Sequence, residues 1–177
     1  MSLSSNVTKY CRKKGIRVVF YDATGKAYAS LEGVETILPS VMEAQMSLSE
    51  DKTRRFIQAL VTNKIKNQSK LLRYYLKYHH ESETPREVLS EAIEGLDSCA
   101  STVIEGADID EFRQNAMILE AQAAKSYWRA YGALVSNTGY SFERREQRGA
   151  TDIVNQMLNY GYAILQSHVT HLYIISQ

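Results

Sequence analysis

From Leu38 onward the apolar residues of this chain recur every three or four positions, a period that helices satisfy and strands do not. Ile57, Val61, Ile65, Leu72 and Leu76 form one stripe of a long helix predicted over 51–79, with Ser49 as its N-cap and acidic residues following. A shorter helix precedes it around 41–46. Thr84-Pro85 opens the next, over about 85–104, where Val88, Leu89, Ala92, Ile93 and Leu96 share a face, the exposed side is acidic and Gly106 marks the break. Asp108 or Asp110 starts another that runs to about Leu134 on Phe112, Ala116, Leu119, Ala123, Tyr127, Ala130 and Leu134. A loop rich in Gly and charge follows over 137–150. Thr151 or Asp152 then caps a final helix carrying Ile153, Val154, Met157, Leu158, Gly161, Ile164, Leu165, Val169 and Leu172.

Strand-like runs are confined to the N-terminal region. Ser4 and Ser5 precede a short amphipathic stretch that Gly15 closes. IRVVFY (16–21) and KAYASL (26–31) flank Asp22-Ala-Thr-Gly25, a hairpin signature in which Gly25 supplies the positive φ. Two strands alone are marginal in water, so the hairpin needs a further partner. The fold class expected is mainly α, a helical domain preceded by a β-hairpin. A length of 177 residues suits one ordinary domain, with or without a small appendage.

Charge excludes the extreme classes and then adds detail. Lys+Arg number 21 and Asp+Glu 20, which rules out a disordered acidic or basic tail. Distribution matters more than the total: residues 1–40 carry net +3, 41–78 net +5, 79–120 net −9 and 121–177 net +2. Salt screens exposed charges beyond about 8 Å, so fields act locally and a basic surface attracts a polyanion even on a neutral protein. The alternative is that acidic and basic helix faces pair with each other. No apolar run is long enough to span a membrane, and the N-terminus lacks the apolar core of a secretory leader, so a soluble, cytoplasmic protein is expected. Cys11 and Cys99 form neither a disulfide framework nor a metal clip.

Few residues invite chemistry. There is no glycine-rich phosphate loop, no Cys–His cluster and no nucleophile elbow. His79 and His80 are adjacent, and helix neighbours point about 100° apart, which makes them poor joint ligands and suits a polar helix end. Glu120 lies beside an apolar stripe among Ala121, Ala123 and Ala124. If buried it must be paired, neutralised or bound to a cation; otherwise it is a half-exposed shoulder residue pairing with Arg113 or Lys125. Asp152 and Asn155 have an ordinary account as a cap and a first-turn residue. Twelve tyrosines against four phenylalanines favour half-exposed, amphipathic surfaces.

GIRVVFYDATGKAYASL (15–31), EAQ (43–45), NKIKNQSKLL (63–72), ILEAQAAKSYW (118–128) and FERREQRGATDIVNQMLNYGYAIL (142–165) occur in that order. Together they resemble the CRISPR-associated integrase, first of the Cas proteins, a metal-dependent DNA endonuclease that inserts new spacers into CRISPR arrays. The most specific segments are Glu-Xaa-Xaa-Ala-Ala-Xaa-Xaa-Tyr-Trp at 120–128 and Asn155 followed by LNYGYAIL.

The resemblance implies a small β-domain, represented by residues 1–36, and a helical catalytic-type domain over 37–177. It implies dimerisation through the β part, a second Cas protein as partner, DNA as substrate and no membrane. It also implies Mn²⁺ or Mg²⁺ held by a Glu, a His and an Asp, with the Glu falling on Glu120. Lys64, Lys66, Lys70 and Arg73 on the basic helix, and Arg144, Arg145 and Arg148 in the loop, become candidate DNA-backbone contacts. Asn67 lies in a matching stretch without an assigned role.

The chain also departs from the family pattern. Strands that precede Ser4 in the family are missing. The arginine loop reads Arg148-Gly149-Ala150-Thr151-Asp152-Ile153 where the family runs into prolines. The metal-binding His and Asp of the family lie beyond the helix that holds LNYGYAIL, and His168 and His171 fall too early to replace them. A helical domain incomplete at its C-terminus, with impaired nuclease activity, is therefore expected. A DNA-binding or partner-binding helical fragment without catalysis is the alternative.

Overall fold

The computed structural model of the chain describes residues 3–22, 27–31, 39–78, 83–136 and 138–175. The expected turn at Ala23–Gly25 and the His79-His80 pair lie outside them. Two compact units divide the chain, Met1–Ser47 with Asn155–Gln177, and Leu48–Val154.

The first unit opens with α1 (Ser5–Lys13). Ser4 caps it by accepting from the Val7 N–H. Its end is a Schellman motif: Gly15 takes φ +64°, its N–H bonds Arg12, and the Ile16 N–H bonds Cys11 at 2.8 Å. Strands β1 (Val18–Tyr21) and β2 (Ala27–Leu31) pair antiparallel, Val18 facing Leu31, with an irregularity between Phe20 and Tyr21. Helix α2 covers Pro39–Met46, and α6 covers Ile153–Ile175. The apolar content of α6 is largely exposed: Met157, Leu165 and Val169 face solvent, while Val154 and Asn155 are buried.

The second unit is three long helices around one core. They are α3 (Glu50–Tyr78), α4 (Glu83–Ser101) and α5 (Ile109–Ser136), each packed on the other two. Val61, Ile65 and Leu72 from α3, Leu89, Ala92, Ile93 and Leu96 from α4, and the α5 stripe from Phe112 to Ala130 are all buried. Ile57, Leu76, Val88 and Leu134 border this core. Burying such side chains contributes about 1.5–3 kcal/mol each for the larger ones, which sets these faces inward despite the charge around them.

Helix α4 ends at Ser101, short of the expected 104. The Ser101 and Thr102 hydroxyls bond back to the Asp97 and Ser98 carbonyls, which weakens the last turn. The chain then extends so that Ile104 reaches the core. Gln58 of α3 holds this crossing, donating to Thr102 O at 3.2 Å and accepting from the Ile104 N–H at 2.8 Å.

Asp108 caps α5, its Oδ1 accepting from Glu111 N at 2.8 Å, while Glu111 reaches back to Ala107 N at 2.6 Å. At Gly106 a Cβ would lie 2.4 Å from the Phe112 nitrogen and 2.7 Å from its Cα. Arg54 closes the same corner, donating to Gly106 O at 2.9 Å and lying over the Phe112 ring. Neither Phe112 atom belongs to a movable side chain, so Gly106→Ala is expected to cost about 1–3 kcal/mol. A urea melt reads this, and an unchanged midpoint would contradict the close approach.

Candidate nucleic-acid interface around Glu120

Glu120 sits midway along α5, one residue past the buried Leu119. That register places it on the shoulder of the core stripe, with its side chain 38% exposed. Its partner is neither Arg113 nor Lys125 but Lys64 of α3, whose Nζ donates to Glu120 Oε1. Lys64 is 51% exposed, so the pair spans the α3–α5 seam at the surface, where such bridges are worth about 0–1 kcal/mol. Arg113 pairs instead with Asp110 at 3.2 Å. The buried-carboxylate alternative therefore does not apply to Glu120.

The other candidate cations separate into two groups. Arg73 is tied to Asp97 of α4, and the same carboxylate accepts from the buried Ser69 hydroxyl at 2.7 Å. Arg129 of α5 pairs with Glu91 of α4 at 2.6 Å. In the loop, Arg144 pairs with Glu146 at 2.9 Å, and Arg145 donates to the Glu146 carbonyl while lying 5.8 Å over the Trp128 ring. A small polar cleft of about 200 Å³ there is lined by Ser141, Glu143, Arg144, Glu146, Thr151 and Asp152, acids as well as a base. Phe142 anchors this loop on α5, its ring 5.3 Å from Tyr131 and 5.9 Å from Trp128. By contrast Lys66, Lys70 and Arg148 are exposed and form no ion pair among the described residues.

The mutual pairing of acidic and basic faces is thus real but partial. It absorbs Lys64, Arg73 and Arg129, and leaves Lys66 and Lys70 facing solvent on α3.

Divalent hard cations take several oxygen ligands, so one carboxylate is a poor site. Among the described residues no three His, Cys, Asp or Glu side chains come together as possible ligands. Glu120 holds an ammonium group rather than sharing its position with another acid. These residues by themselves do not fit a Mn²⁺ or Mg²⁺ ion.

A family model described as CRISPR associated protein Cas1 matches residues 1–177. The chain belongs to the Cas1 family. It is 31% identical over 172 residues to CRISPR-associated endonuclease Cas1 1 of Francisella tularensis subsp. novicida, covering 96% of this chain and 50% of that protein. To CRISPR-associated endonuclease Cas1 1 of Archaeoglobus fulgidus it is 32% identical over 178 residues, covering 93% and 50%. The chain thus spans about half the length of these Cas1 relatives. Among solved structures it resembles a chain of a Cas6-RT-Cas1–Cas2 complex with TM-score 0.68 and 21% identity, covering 95% of this chain and 18% of that one. It also resembles a casposase bound to integration product, with TM-score 0.65 and 18% identity, covering 93% and 44%. At these identities the structural likeness establishes a shared fold for this Cas1-family chain.

Its place in the first turn of α6 gives Asn155 an ordinary account from sequence, and the structure adds to it. Asn155 is 1% exposed, and with Ser69 it is one of two buried polar residues among the described residues. Its signal was already present, since it stands in the middle of an apolar run and belongs to one of the two most specific family segments. Tyr74 and Tyr78, which no spacing rule marks, form an exposed ring pair on α3.

Proposed function

We propose that this chain acts on DNA as a CRISPR-associated integrase of the Cas1 family, serving spacer acquisition in antiviral defence. The observation that carries the reading is the position of Glu120, the carboxylate marked by the family resemblance. It lies at the α3–α5 seam, on the helix pair that also presents Lys66 and Lys70, exposed and without an ion pair among the described residues. Cations without acidic partners suit phosphate oxygens, whose contacts position a duplex without reading its sequence. A solved relative on integration product supports DNA as the substrate, and one in a Cas1–Cas2 complex supports a second Cas protein as partner. A homodimer using the β-hairpin and a cytoplasmic location complete this reading.

Family resemblance assigns Glu120 to a Mn²⁺ or Mg²⁺ site, a role that one carboxylate paired with Lys64 does not fill by itself. Because the described residues bring no three possible ligands together, this 177-residue chain is expected to bind DNA without cleaving it efficiently. A Mn²⁺-dependent assay on branched DNA tests this, run beside a binding titration with wild type and Glu120→Ala. The expected result is background cleavage for both proteins and equal or slightly tighter binding by the variant, which frees Lys64. Mn²⁺-dependent cleavage that disappears in Glu120→Ala would overturn the impairment. Absence of DNA binding at low salt would overturn the DNA reading and favour a partner-binding module.

A further inference from the structure

Helix α3 carries a second exposed line beside its cations. Phe56, Leu60, Asn63, Asn67, Leu71, Tyr74 and Tyr78 follow one another at intervals of three or four, and all are exposed. A soluble helix ordinarily turns such a row inward, yet the buried face of α3 is the opposite one, on Val61, Ile65 and Leu72. At the C-terminal end the row is aromatic. Tyr74 is 58% and Tyr78 61% exposed, with ring centroids 4.8 Å apart and planes inclined at 51°. Tyr75 braces the pair edge-on, 5.5 Å from Tyr74.

Cations flank this end. Lys66, Lys70 and Lys77 follow the adjacent stripe of the helix, and Lys77 Nζ sits 5.6 Å over the Tyr78 ring. Lys66 to Lys77 covers about 16 Å of helix axis. Arg73 lies between them in sequence but is committed to Asp97.

We infer that Tyr74 and Tyr78 form a stacking site for unpaired bases, with Lys66, Lys70 and Lys77 tracking the phosphates of a single strand. This rests on the reading of the chain as DNA-binding and adds to it a preference for unpaired nucleotides at one end of α3. Exposed aromatic faces beside a line of lysines are the combination that holds single strands with little sequence preference, because every base offers a π-face. A protein-binding groove has the opposite character, with charge depleted around its apolar centre. Paired bases keep their faces inside the duplex, so a duplex uses the lysines and not the rings.

The test measures fluorescence anisotropy of the whole chain with two labelled probes, a thymidine oligomer and a duplex of equal length. Tyr74→Ala/Tyr78→Ala is expected to lose about tenfold to a hundredfold in single-strand affinity and less than about twofold for the duplex. Tyr74→Phe/Tyr78→Phe keeps the ring faces and is expected to bind the oligomer like wild type. Both positions are exposed, and the phenylalanine variant gives a second reading that does not depend on how the alanine variant folds. Unchanged single-strand binding in the alanine variant, equal losses on both probes, or equal damage from the phenylalanine variant would each overturn the proposal. So would a change in oligomeric state with DNA affinity unchanged, which makes the face a protein contact. A wild-type chain that binds the duplex but not the oligomer overturns the stacking site and leaves the DNA reading standing, whereas binding neither overturns both.

Discussion

Leu96→Ala is expected to lower the unfolding free energy by about 3 kcal/mol. Leu96 is fully buried on α4, in the core that α3, α4 and α5 build together. Removing three carbons there loses transfer free energy and leaves a void that long helices close poorly. Leu→Ala changes in a packed core cost about 2–5 kcal/mol, and complete burial places this one in the middle. Leu60→Ala is the matched control, because Leu60 is exposed on α3. The same chemical change there is expected to stay within about 0.5 kcal/mol. Urea melts followed by circular dichroism compare the two. Equal costs at Leu60 and Leu96 would mean that the assigned buried faces are wrong.

That pair of sites also shows what the sequence makes legible. The faces of α3, α4 and α5 follow from apolar spacing alone, because a core stripe is a local pattern and burial of large side chains dominates the energy of a helix bundle. The α5 stripe from Phe112 to Ala130 is buried at the positions its period marks. Ends are harder. The α4 terminus is decided by Ser101 and Thr102 hydroxyls turning back on the helix and by Gln58, far away in sequence, holding the Thr102–Ile104 crossing. Glu120 shows the same limit at the candidate site. Its nearest opposite charges along the chain are Arg113 and Lys125, but a surface carboxylate pairs with whatever the packing brings near, and α3 brings Lys64. The acidic 79–120 segment likewise predicts pairing in general, while only the bundle decides that Arg73 is consumed and Lys66 and Lys70 are left over.

Lys66→Ala/Lys70→Ala is expected to weaken duplex binding by about tenfold to a hundredfold at low salt and to reduce the salt slope by about 2. The argument is one of counterion release. Each lysine that neutralises a phosphate frees one condensed cation, so losing two contacts removes about two units from the slope of log K against log salt. Lys66 and Lys70 are suited to this because they are exposed, one turn apart on α3, and without ion pairs among the described residues. Arg73→Ala provides the contrast: its guanidinium is engaged by Asp97, so its loss removes a tie between α3 and α4 and exposes an acid. It is expected to leave the slope nearly unchanged. A titration over a range of salt concentrations separates these cases, since a folding defect lowers the active fraction without altering the slope. If Lys66→Ala/Lys70→Ala keeps the wild-type slope while Arg73→Ala flattens it, the phosphate track runs along the α3–α4 seam instead of the open face of α3.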